Sequence, residues 1–179
     1  ALSRRVPEYV GRSKAARDLA DAVREGVIPD ELTAVMETLA LPVEALKDTT
    51  IGSGVFANRP GDGSAREQAA SCQKVLGGVA NIAYSYATKR YRSNCINWGI
   101  VPFTLDESTP FDYQPGDYLF VPGIKEAVKD GKEDIPGKVV TSSGVKDILL
   151  HVKGLTEDEK AIILEGCLIN YYAAGYGKD

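Results

Sequence analysis

The residue types most able to do chemistry in this chain fall in one short run, Asp62-Gly63-Ser64-Ala65-Arg66-Glu67. Gly61 and Gly63 leave the turn without side chains, so a ligand can approach the backbone closely. Ser64 has Glu67 three residues later, the spacing of a capping box at a helix start, and by itself this spacing predicts only that. The free amides and the positive pole of such a helix attract a carboxylate or phosphate. Arg66, in the first turn, is electrostatically misplaced there unless an anion compensates it. A guanidinium forked onto a carboxylate is the natural use of that position.

The elements that must hold this run follow from periodicity. Thr49 to Ala57 is rich in strand formers, residues 58–63 are dense in turn residues, and a helix is expected from Ala65 to about Leu76. Gly77-Gly78 closes it, and Val79 to Tyr86 reads as a second, buried strand, which makes the pair parallel. A short helix from Thr88 to Trp98 and a strand from Ile100 to Leu105 continue the βαβ rhythm of an α/β core. From Gly116 onward, Tyr118 to Val121, Lys138 to Thr141 and Lys146 to Val152 predict short antiparallel strands. Two packing helices are expected in front, one behind Ser13 with its stop at Gly26 and one opened by Pro29 and Asp30 and ended by Pro42. A single helix from Thr156 to about Ala173 closes the chain.

Bulk properties narrow the function. The 179 residues suit one domain, 1–179. A net charge of -4 disfavours a general grip on nucleic acid or anionic membrane, so any anion must be held locally. The basic run Lys89-Arg90-Tyr91-Arg92 is read first as a solvated face. Cys72, Cys95 and Cys167 are widely spaced without a CxxC pair, which predicts reduced thiols in core or surface positions rather than metal ligands. No apolar run approaches the ~20 residues that cross a bilayer, and a soluble, cytoplasmic protein is expected. His151, the single histidine, lies in an apolar strand-like run and is read as structural.

Gly63-Ser64-Ala65-Arg66-Glu67-Gln68-Ala69-Ala70 resembles the Gly-Ser-Ser-Arg-Glu-His-Ala signature of the swivelling domain in the aconitase and isopropylmalate isomerase superfamily. The likeness continues through Leu76-Gly77-Gly78, Ser85-Tyr86-Ala87, Asn94 and Gly99-Ile100-Val101-Pro102. The bacterial aconitase-like hydratases look most similar. The resemblance implies the swivelling β/β/α fold, with a partly parallel core sheet, a smaller antiparallel part and flanking helices.

It also implies roles: Ser64 as general base in its alkoxide form, and Arg66 as a substrate-carboxylate ligand. The backbone amide of Ala65 and the bare Gly63 complete the substrate contacts. Two positions depart from the signature. Ala65 replaces a serine, which leaves its amide but removes a hydroxyl donor, and Gln68 replaces the histidine. The substrate is therefore left open.

The family's [4Fe-4S] cluster is implied for other domains, with no metal or cofactor held by this chain. The expected function is the capping domain of an aconitase-like hydro-lyase, inactive alone and excised from a larger multidomain enzyme. Its partners would be the cluster-bearing domains or a large subunit, and a small hydroxy-acid substrate. A free-standing small subunit of an isopropylmalate isomerase-like enzyme is the alternative, and an anion- or RNA-binding module the non-enzymatic one.

Overall fold

The computed structural model describes residues 2–177. After a one-turn helix α1 (Leu2–Arg5), the chain forms α2 (Tyr9–Arg24), α3 (Asp30–Thr38) and a 3-10 turn (Val43–Asp48). Then come β1 (Ser53–Ala57), α4 (Arg66–Val75), β2 (Gly78–Ala83), α5 (Lys89–Asn97) and β3 (Val101–Thr104). The remainder is β4 (Tyr118–Phe120), α6 (Ile124–Lys129), β5 (Asp134–Thr141), β6 (Gly144–His151), α7 (Glu157–Glu165) and α8 (Leu168–Ala173).

All six strands join one sheet in the order β1-β2-β3-β6-β5-β4. The expected parallel part is β1-β2-β3, linked by α4 and α5, and the expected antiparallel part is β4-β5-β6. Each has three strands. The halves meet at one residue pair, Thr104 opposite His151, where β3 runs antiparallel to β6. His151 is nearly buried there; its Nδ1 donates to Asp134 Oδ1 at 2.8 Å, and its Nε2 lies 3.4 Å from Asp106 Oδ2.

The main core lies on the sheet, with Ile82, Phe103, Leu105, Ile135, Val139, Ile148 and Leu150 buried together. A separate cluster of Val23, Leu32, Met36 and Leu46 fastens α2, α3 and the 3-10 turn. Each such side chain removed from water contributes about 1.5–3 kcal/mol of transfer free energy.

Four local expectations need correction. The first long helix begins at Tyr9, so Ser13 is buried inside it instead of capping it. α6 had no counterpart in the periodicity. The terminal helix is broken at Gly166, which adopts φ 89°, and Cys167 stands at the start of α8 instead of within a helix. The capping box Thr156–Glu159 does form.

The fourth correction touches the site. Ala65, with φ -89° and ψ 57°, occupies the cap of α4, and no side chain hydrogen-bonds into that end. The Glu67 carboxylate that a capping box would turn back instead accepts from Trp98 Nε1 at 3.2 Å. Ser64 is thereby left outside the helix.

Candidate functional site

The turn at residues 58–63 leaves the C-terminal end of β1 and delivers the chain to α4. Gly61 anchors it. Its φ is 99°, and a Cβ there would lie 2.5 Å from Tyr91 Cβ, so both backbone conformation and packing exclude a side chain. Its carbonyl accepts from Thr88 Oγ1 at 2.9 Å and from Arg66 Nε at 3.1 Å. Thr88 is also the true cap of α5, its hydroxyl accepting from the Tyr91 amide at 3.2 Å. One carbonyl thus ties the starts of α4 and α5 together. Gly63, by contrast, faces open space.

A buried polar chain fixes the two helices from behind. Gln73 on α4 donates to Asn81 Oδ1 on β2, and Asn81 Nδ2 donates to Tyr91 Oη at 3.2 Å and Cys95 Sγ at 3.3 Å, both on α5. Burial pushes the Tyr91 phenol and the Cys95 thiol above their ordinary ranges. Both therefore stay neutral at physiological pH and serve as hydrogen-bonding struts. Ala70, Tyr91, Cys95 and Ile100 pack around this chain as an apolar cluster.

In front of these struts lies an open depression of about 360 Å3, lined by Ser64, Arg66, Glu67, Gln68, Lys89, Arg90, Ser93 and Asn94. Ser64 is exposed to it, and its hydroxyl has no hydrogen-bond partner among the described residues. Arg66 is half-buried, held through Nε to Gly61, which leaves its two terminal nitrogens to fork onto a ligand. Gly63 and Ala65 are exposed in the same turn.

Ser64 and Arg66, picked from the sequence, are therefore brought together, and Asn94 of the extended likeness joins them. Lys89, Arg90 and Ser93 were missed as site residues. The basic run that reads as a solvated face supplies two of the depression's three cations. The available signal was their spacing on one helix following a βαβ crossover, which returns α5 beside α4 at the same sheet edge.

None of Arg66, Lys89 and Arg90 stands in an ion pair among the described residues. Two of them open α5, which has no acidic residue in its first turn. Positive charge at the positive pole of a helix is unfavourable until an anion arrives.

A second cavity of about 500 Å3 shares Lys89 and lies past the ends of β2 and β3. Its lining mixes Lys89, Arg92 and Lys153 with Asp106 and Glu107, and Arg92 is paired with Glu159 at 3.3 Å. The cysteines lie apart from both: Cys72 is exposed on α4, Cys95 buried on α5 and Cys167 half-buried at the α8 cap. No group of three metal-ligating side chains occurs among the described residues. No described helix is long and apolar enough to cross a membrane.

Comparison with known proteins gives this geometry its context. Residues 32–108, from α3 past β3, match the family model for the aconitase C-terminal domain. An Emericella nidulans protein named "Putative aconitate hydratase, mitochondrial" is 34% identical over 113 residues, 62% of this chain and 14% of that one. The 3-isopropylmalate dehydratase small subunit of Metallosphaera sedula is 37% identical over 113 residues, covering 63% of this chain and 66% of that one. The chain thus spans 14% of the first relative's length and just under two thirds of the second's. A crystal structure of 3-isopropylmalate dehydratase from Methanocaldococcus jannaschii aligns at a TM-score of 0.40 and 26% identity, over 82% of this chain and 78% of that one.

Proposed function

Because this chain belongs to the aconitase C-terminal domain family, we propose that it is the substrate-capping part of a hydro-lyase acting on a hydroxy polycarboxylic acid. The observation that supports this most strongly is the convergence of Ser64 and Arg66 on one cation-lined depression at the uncapped start of α4.

In this reading Arg66 binds a substrate carboxylate through the two nitrogens that Gly61 leaves unused. Ser64 Oγ, as the alkoxide, takes the proton from the carbon beside that carboxylate and returns one in the reverse direction. A serine hydroxyl is a very weak base, so its anion needs a preorganised field. The open amides at the start of α4, the helix pole and the Lys89 and Arg90 side chains supply it. Gly63 and the Ala65 amide leave the substrate room to reach the backbone. The methyl of Ala65 offers no hydroxyl donor.

The family's [4Fe-4S] cluster would supply Lewis acidity to the departing hydroxyl. The thiols of this chain do not fit such a cluster, because Cys95 is sealed behind the Asn81 chain while Cys72 and Cys167 sit on other elements. We place the cluster in another part of the assembly, either further domains of the same polypeptide or a large subunit. The small-subunit relative supports the second arrangement, and the much longer aconitate hydratase relative, of which this chain spans 14%, supports the first.

The test is a lyase assay on the assembled enzyme, following the unsaturated acid formed from a panel of hydroxy di- and tricarboxylic acids. Turnover of at least one of them is expected. Silence across the panel, with the cluster intact, refutes the reading.

A further inference from the structure

We infer that Lys89 and Arg90 form a second anion subsite beside Arg66, which selects a substrate whose far substituent is a carboxylate over one whose far substituent is a branched alkyl group. The inference rests on the proposed lyase reading of this site and deepens it.

Three observations carry it. The first is the lining of the depression: every one of its eight side chains is polar or charged, and no alkyl or aromatic side chain is available to receive an isopropyl group. An alkyl substituent placed there would desolvate cations and meet only the methylene stems of polar side chains. The second is charge. Arg66, Lys89 and Arg90 line one depression of about 360 Å3 without an ion pair among the described residues, while its single carboxylate, Glu67, already accepts from Trp98. With Glu67 counted against the three cations, one bound carboxylate would still leave a positive charge uncompensated.

The third is rigidity. Thr88 and Arg66 hold the same Gly61 carbonyl, and Gln73, Asn81 and Tyr91 brace the helices from behind. The separation of the two helix starts that carry Arg66 and the α5 cations is therefore set by the fold, as a two-point recognition site requires. Lys89 and Arg90 also stand in place of the hydroxyl donor that Ala65 lacks, on a neighbouring element. Both are exposed at the start of α5, so they can be exchanged without opening the core.

The test is an NMR titration of the nitrogen-labelled full chain with two probes, citrate and 3-isopropylmalate. Citrate is expected to move the amides at residues 64–68 and at 89–94 together, and to bind about tenfold or more tightly than 3-isopropylmalate. Lys89→Ser combined with Arg90→Ser should remove that preference by weakening citrate alone, with the spectrum otherwise unchanged. Lys89→Arg combined with Arg90→Lys should retain it. Citrate shifts confined to residues 64–68, equal affinity for the two probes, equal loss of both in the serine variant, or no response on α5 would each overturn the inference. Ser64→Ala leaves all three cations in place, so a failed base role would not disturb this pattern, and a failed subsite would not disturb the base role.

Discussion

Arg66 holds the Gly61 carbonyl through Nε, and this fixes what its other two nitrogens can do. A lysine at the same position would keep the charge but lose both the tether and the fork. Arg66→Lys in the assembled enzyme is therefore expected to raise KM about a hundredfold with a smaller fall in kcat, as steady-state kinetics would show. An unchanged KM would remove Arg66 from substrate binding. At this scale the sequence was informative where the geometry is local: Ser64 and Arg66 fall within one turn and line one depression. It misled at Glu67, because a capping box and an open, ligand-ready helix start share the same letters. What separates them is Trp98, more than thirty positions later, whose indole takes the carboxylate. Lys89 and Arg90 were hidden for a similar reason, since only the crossover through β2 returns them beside α4.

Among the elements, the turn at residues 58–63 and the struts behind it position everything else. Gly61→Ala would force a Cβ into the Tyr91 ring at φ 99° and is expected to cost about 1–3 kcal/mol, read as a lowered Tm. A stability equal to wild type would show that the turn is not pinned to α5. Asn81→Ala leaves Gln73 and Tyr91 without their buried partner and should cost about 1–3 kcal/mol for each group stranded. A double-mutant cycle with Gln73→Ala should show strong coupling, and simple additivity would mean the two do not act as one network.

The βαβ part of the fold was readable because periods of 2 and 3.6 alternate cleanly between glycines. The terminal helix was not. The helix expected to run on to Ala173 stops at Gly166, beyond which Ile169 is 72% exposed, and Gly166 packs its backbone against Gly99 at the end of α5. Neither fact has a local signature. The join between the sheet halves, Thr104 opposite His151, was equally invisible, since it pairs residues 47 positions apart by packing alone.

For the whole molecule, net charge and local charge pull in opposite directions. A chain of net charge -4 gathers at one sheet edge three cations that have no ion pair among the described residues, a local attraction for anions set against the overall charge. The buried thiol and phenols behind the edge give the fold an alkaline limit. Burial raises Cys95, Tyr86 and Tyr91, so the unfolded chain releases these protons at lower pH than the folded one. The thiol's contribution to stability is present below about pH 8.5 and is lost as pH rises above it, and the phenols' contribution is lost only as pH rises above about 10. Thermal melts should therefore show Tm falling above about pH 8.5, and Cys95→Ala should shift the onset of that fall upward. A flat alkaline limb would contradict the burial of these groups.

The account turns on Ser64 as the base, and the most direct measurement is the turnover of the assembled enzyme with Ser64→Ala, compared with wild type at equal cluster content. The expected result is a kcat lower by about a thousandfold with KM within a few-fold, because a positioned base contributes about 10²–10⁴ in rate. A kcat within about threefold of wild type, well below that range, would contradict it.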